Sequence, residues 1–317
     1  MKKYDKTFPK TNRRACGVRR GLVCIIAIGL CLSKAAALPG IPALNLCPDI
    51  IFNHGWQNDS QPSGGAGGPA PGPYLRTAVI PQTGTYINYY VYIPSNYQPG
   101  LDWPLLIALH GAAGDPDTAK NYAQDMRDFW SASAEQYGFL VAAPVATGSN
   151  GSWLPANLSV NLKQILLDMR ADYNIETRRI LGYGFSAGGH IMHAIALDHS
   201  AIDRMQADKP NSAYFAAYGV TAGVLGGFTC PHPPAGHPDC DSVPLNASRT
   251  IPVYQAHGTA DSIVPVAYAQ ADRVGFLNAG WAENRNYWLT LFAGGHTVPA
   301  SYPAAFWQKL CTATSPP

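Results

Sequence analysis

The stretch that most constrains this chain is 181–190, Leu-Gly-Tyr-Gly-Phe-Ser-Ala-Gly-Gly-His, which carries the pattern G-x-S-x-G from Gly184 through Ser186 to Gly188. A serine alcohol is a poor nucleophile at neutral pH. It becomes a useful one when held on a sharp turn, within reach of a base and beside free backbone N–H groups. Gly184 and Gly188 lack a Cβ, so a strand and a helix can close tightly around such a turn. The flanks fit this requirement: 178–183 predicts a short buried strand and 189–197 an apolar helix. Phe185 is expected to point into the sheet, and Ala187 to offer its N–H to an oxyanion. Because the chain holds 31 glycines, the pentapeptide alone could be a plain Gly-rich turn, and partners elsewhere must decide.

The N-terminus stands apart. A basic segment with Lys2, Lys3, Arg13, Arg14, Arg19 and Arg20 precedes an apolar run over 21–32 and then Ala35-Ala36-Ala37, the layout of a signal peptide over 1–37. The run is short for a bilayer span, so no stable membrane anchor is expected after cleavage, and the mature protein is expected to be secreted or periplasmic. Of 22 Lys/Arg and 20 Asp/Glu, the first 37 residues hold nine and one, leaving 13 basic against 19 acidic residues, a net −6. The mature chain therefore gives no electrostatic reason to expect nucleic-acid binding.

Three of the seven cysteines fall in the signal, leaving Cys47, Cys230, Cys240 and Cys311. In an oxidising compartment four cysteines predict two disulfides with three possible pairings, and Cys230–Cys240 with Cys47–Cys311 is the preferred one. The alternative, a Cys/His zinc site around His232 and His237, matches no common finger spacing, and no metal site is predicted. Four N-x-S sequons, at Asn58, Asn150, Asn157 and Asn246, matter only where the source glycosylates.

Residues 38–73 lack periodicity and end in a Gly/Pro-rich tract, predicting a lead-in that cannot bury enough apolar surface to fix one conformation. From 74 onward the pattern becomes that of one α/β domain reaching 317. Strands are predicted at 75–80, 87–93, 103–109, 139–144, 178–183, 214–224, 251–256 and 287–292. Helices are predicted at 117–137, 160–173 and 189–197, then from about 266 to 279 and in a short closing segment near Cys311. Alternating strand and helix implies a mostly parallel central sheet flanked by helices. The Pro/Cys-rich region 228–250 is a predicted rim or partial lid.

The serine needs an imidazole to take its proton and a carboxylate to orient that imidazole. Asp261 lies just past the end of one predicted strand and His296 just past the next, on the same rim as Ser186. His190 and His193 follow the serine on its own helix and are expected to pack against the sheet. Asp239 and Asp241 are rivals to Asp261 from the irregular region. The strand over 103–109 runs into His110-Gly111-Ala112-Ala113-Gly114, so the Ala112 N–H is the candidate second oxyanion donor. Trp153 and His110 are candidate substrate-binding side chains.

Four blocks, Leu109-His110-Gly111, residues 184–189, residues 257–265 (His-Gly-Thr-Ala-Asp-Ser-Ile-Val-Pro) and Gly295-His296, together resemble the exported α/β-hydrolase esterases grouped with poly(3-hydroxybutyrate) depolymerases and feruloyl or acetylxylan esterases. The resemblance spans about 75–311 and implies the α/β-hydrolase fold. It implies Ser186 as nucleophile, Asp261 as acid, His296 as base, and the N–H groups of Ala187 and Ala112 as oxyanion hole. It also implies a small-molecule or oligomeric ester substrate and no cofactor. Polymer depolymerases of this kind often carry a linker and binding module after the catalytic domain, whereas here the chain stops soon after His296. That favours a soluble ester, an oligomer or a plant-wall acyl group. The alternatives are a serine peptidase of prolyl-oligopeptidase-like type and a non-catalytic binding protein on the same fold.

Overall fold

The computed structural model describes residues 62–315 apart from positions 66, 82, 154, 198–213 and 226–246. The signal peptide, Cys47, Cys230, Cys240, Asp239, Asp241 and most of the predicted rim region therefore lie outside the described residues. Cys311 is disulfide-bonded.

Eight strands form one sheet in the order β1-β2-β4-β3-β5-β6-β7-β8. They are β1 (Gly72–Ile80), β2 (Thr85–Ile93), β3 (Trp103–Leu109), β4 (Leu140–Pro144), β5 (Ile175–Phe185), β6 (Ala217–Thr221), β7 (Val253–Gly258) and β8 (Tyr287–Phe292). The β1–β2 hairpin is antiparallel and joins β4 antiparallel. From β4 through β3, β5, β6 and β7 to β8 every pairing is parallel. Five described helices cover the sheet: α1 (Pro116–Tyr137), α2 (Pro155–Asp172), α3 (Ala187–Ala196), α4 (Val266–Asn278) and α5 (Tyr302–Leu310).

The continuous apolar run of β3 splits by strand alternation between two cores. Leu105, Ile107 and Leu109 join the cluster that receives Leu162 of α2, Met192 of α3 and Phe276 of α4. Leu106 and Ala108 join the opposite one with Trp130 of α1 and Phe306 of α5. Covering on both faces is why this strand has no polar face to show. In the second core Trp130 stands edge-on to Tyr183 and Phe306 at 4.9 and 5.1 Å. Helix α1 begins where its cap dictates: the Asp115 side chain accepts from the Thr118 N–H at 2.8 Å, Pro116 opens the first turn, and Gly138 ends the helix at φ 72°.

Two boundaries differ from the sequence expectation for one reason. The end of the Gly/Pro tract is not a free linker: Ser63 N–H donates to Ile175 O at 2.8 Å, Gly64 N–H to Asn174 Oδ1 at 2.9 Å, and Gly67 and Gly68 N–H to Asp172 O. A Cβ at Gly65 would lie 2.6 Å from the carbonyl oxygens of Arg170 and Tyr173. Backbone hydrogen bonds, the Ser63 hydroxyl, which donates to Tyr173 O and accepts from the Ile175 N–H, and the missing Cβ hold this segment against the start of β5 at Ile175.

Beneath β6 and β7 runs a buried polar chain. Tyr287 OH donates to Gln255 Oε1 (2.7 Å), Gln255 Nε2 donates to Asp272 Oδ2 (2.8 Å) and Gly223 O (3.2 Å), and Leu225 N–H donates to Asp272 Oδ1 (3.1 Å). Burial pushes Asp272 up to about 7, against the lowering effect of its hydrogen bonds from Gln255 and Leu225. The native state thus keeps a proton that an unfolded Asp, near 3.8, has released, so stability present at low pH falls as pH rises toward about 7. Denaturant unfolding at pH 5 and pH 8 is expected to show this loss, on the order of 3 kcal/mol from this group, and Asp272→Asn is expected to flatten the slope.

Candidate active site

Strand β5 ends at Phe185 and α3 begins at Ala187, so Ser186 is the whole turn between them. Its backbone sits at φ 53° and ψ −120°, a region costly for any residue with a Cβ. Neighbours hold it there. Ser186 N–H donates to Thr221 O at 2.9 Å, and Ser186 O accepts from Gly189 and His190. A Cβ on Gly184 would lie 2.2 Å from Gly188 O, and one on Gly188 would lie 2.5 Å from His110 O. Only glycine lets the strand, the helix and the end of β3 meet backbone to backbone.

The partners arrive from the ends of β7 and β8. A Cβ on Gly258 would lie 2.3 Å from Gly295 O, so the two following loops also touch backbone to backbone. They are laced by Thr259 N–H to Phe292 O (2.9 Å) and Ala260 N–H to Gly294 O (2.8 Å). This brings Asp261 Oδ2 to 2.8 Å from His296 Nδ1, and His296 Nε2 to 2.8 Å from Ser186 Oγ. Because Nδ1 faces a carboxylate it carries the proton, which leaves Nε2 to accept from the serine hydroxyl. Ser186 and His296 are partly exposed while Asp261 is buried. Burial alone would raise the Asp261 carboxyl, but hydrogen bonds from His257, His296 and the Val264 N–H outweigh it and hold the group well below the usual carboxylate range. The carboxylate is therefore ionised throughout the physiological pH range.

The two candidate oxyanion donors meet the same turn. Neither the Ala112 nor the Ala187 N–H donates to any described residue. Gly111, next to Ala112, packs so closely that a Cβ there would lie 3.3 Å from Ser186 Cβ. The polar atoms of the candidate substrate-binding side chains His110 and Trp153 are used within the protein. Ala146 N–H donates to His110 Nε2 at 3.1 Å, so the ring proton is on Nδ1, which donates to Gly111 O at 2.6 Å. Burial pushes this histidine down to about 4, so it is neutral. Trp153 is 7% exposed, lies 4.8 Å from the His110 ring, and donates Nε1–H to His110 O at 2.8 Å. Both side chains are spent on the loop that holds Ala112 and leave no polar atom for a substrate.

Phe185 also departs from expectation. Its ring lies 5.2 Å from that of His296 and beside Gly111, at the rim rather than in the sheet. His193 is fully buried against Tyr218, with Nδ1 2.9 Å from its hydroxyl, and burial pushes it down to about 3. His190 Nδ1 bonds the Val224 backbone. The imidazole that reaches the serine is that of His296.

No family model matches the chain. Over 196 residues it is 30% identical to a bifunctional acetylxylan esterase/xylanase from Neocallimastix patriciarum, covering 60% of this chain and 23% of that protein. Among solved structures it resembles a ferulic acid esterase from the anaerobic fungus Anaeromyces mucronatus, with TM-score 0.52 and 17% identity over 85% of this chain and 96% of that one. It likewise resembles a butyrate-bound esterase from Thermogutta terrifontis, with TM-score 0.53 and 16% identity over 74% and 90% of the two chains. The fold is that of the α/β-hydrolases. The α/β-hydrolase fold implied by the four motif blocks is borne out. Among the described residues no helix is long and apolar enough to cross a membrane.

Two outcomes test the turn. Ser186→Gly relieves the positive φ that Ser186→Ala retains, so urea unfolding of the pair is expected to favour the glycine variant by about 1 kcal/mol. Gly184→Ala forces a Cβ into the Gly188 carbonyl, and its thermal midpoint and soluble yield are both expected to fall sharply.

Proposed function

We propose that this chain is an exported serine esterase that hydrolyses carboxylic esters through an acyl-enzyme. The reading rests on one observation, the unbroken chain of hydrogen bonds from Ser186 Oγ through His296 to Asp261 at the strained end of β5. Ser186 Oγ attacks the ester carbonyl as His296 Nε2 takes its proton. Asp261 stabilises the imidazolium so formed, and the Ala112 and Ala187 N–H groups receive the developing oxyanion. His296 passes the proton to the departing alkoxide, which leaves as alcohol. The same imidazole then deprotonates a water that hydrolyses the acyl-enzyme.

Short-chain acyl, feruloyl or acetyl esters and hydroxyalkanoate oligomers are the proposed substrates. Similarity to an acetylxylan esterase/xylanase and a ferulic acid esterase supports the plant-wall members of that range. Fold alone does not choose between ester and amide, so the substrate must be tested.

Purified enzyme is expected to turn over p-nitrophenyl acetate, p-nitrophenyl butyrate and methyl ferulate with different efficiencies. Ser186→Ala and His296→Ala are each expected to lose about 10⁴-fold or more in kcat. Peptide cleavage without ester cleavage would replace this reading with a peptidase. A folded protein active on neither would leave the binding-protein alternative.

A further inference from the structure

His257 is fully buried at the end of β7, and no step of the proposed chemistry uses it. Its Nε2 lies 2.7 Å from Val264 O and 3.4 Å from Asp261 Oδ2. Both neighbours are acceptors, so Nε2 carries the proton. Nδ1 is then a bare acceptor, and it has no hydrogen-bond partner among the described residues. A buried polar atom left unpaired costs free energy, and a side chain kept only to fill the space would be better apolar.

The compensation lies in how Asp261 is held. An ionised carboxylate has about four lone-pair sites. Oδ1 accepts from the Ile263 and Val264 N–H groups, both at 2.9 Å, and Oδ2 accepts from His296 Nδ1 at 2.8 Å. His257 Nε2 lies 3.4 Å from the same Oδ2, beside the remaining site. The same N–H grips the Val264 carbonyl, and the N–H of Val264 is already on Oδ1. His257 therefore touches the carboxylate directly and closes the 261–264 loop through the peptide that cradles it.

We propose that His257 is a positioning residue that acts through Asp261, locking the carboxylate in the single orientation that meets His296 Nδ1. Without the imidazole, Oδ2 keeps its hydrogen bond from His296 but loses the close polar contact beside it, and Val264 O loses its partner. The carboxyl plane is then free to turn, and the imidazole loses the alignment that directs Nε2 at Ser186.

The test, which rests on the esterase reading, uses the full protein as His257→Leu and His257→Gln. Leucine fills the site without a donor, and glutamine can return an N–H near Nε2. Two readouts are compared: ester kinetics, and the rate at which a fluorophosphonate probe labels Ser186, which reports activation of the serine whatever its natural substrate. For His257→Leu, kcat and the labelling rate are expected to fall together by about 10- to 100-fold with KM changed by less than about twofold. The thermal midpoint is expected to change by only a few degrees, because removing the unpaired Nδ1 offsets the partner lost by Val264 O, and His257→Gln is expected to recover most of the loss in kcat and labelling. A leucine variant with wild-type kcat and labelling, or a glutamine variant that loses as much as leucine, overturns the proposal. If wild type labels at Ser186 but hydrolyses no ester, and leucine still slows labelling, the role of His257 stands and the esterase reading falls. A wild type that does not label removes both.

Discussion

Everything at this site depends on the approach of three backbones that only glycine permits. Gly184, at the end of β5, and Gly188, in the first turn of α3, lie against one another, and Gly188 lies against the end of β3. That contact holds Ser186 at φ 53°, where the following residues begin a helix at once. Strain of this kind survives only when the surroundings over-determine it. Here the Thr221 carbonyl, the Gly189 and His190 amides and the packed loop after β3 all do so. The serine is thus presented by one of the two central strands of the sheet.

The same device recurs one layer out. Gly258 lets the loop after β7 lie on the loop after β8, and the first donates two backbone hydrogen bonds to the second before either reaches Asp261 or His296. Asp261 and His296 therefore belong to one rigid double loop, and the 2.8 Å distance between them needs no contribution from a substrate. A neutral His110 and a buried Trp153 do the equivalent for the loop carrying Ala112. The Gly111–Ala112 peptide is trans, so fixing its carbonyl on His110 Nδ1 turns the Ala112 N–H the opposite way.

Much of this was legible in the residues. The strands buried on both faces announced themselves as continuous apolar runs, and the order of Ser186, Asp261 and His296, each just past a strand end, is a property of the chain itself. What was hidden had no side-chain signal to read. The 62–68 segment docks mostly through backbone groups, with one hydroxyl and one amide side chain, so a Gly/Pro composition that speaks for a linker gave no warning. Side-chain direction was equally opaque: Phe185 turns to the rim, and His110 and Trp153 turn inward, because the loops around them decide it. Likewise, no pattern distinguishes Asp272, buried in α4, from an ordinary helix-surface aspartate.

The docked glycines have a consequence for traffic around the molecule. They are moored beside Ile175, which pairs with Trp103 at the start of β3, while Ser186 lies just past Gly184, which pairs with Leu109 at the other end, roughly 25 Å away at the usual strand rise. Pro62 and Ser63 thereby sit at the floor of the sheet, at the end remote from the serine. The described end of the lead-in is tied down away from the mouth, whose edges are the loops that follow β3, β5, β7 and β8.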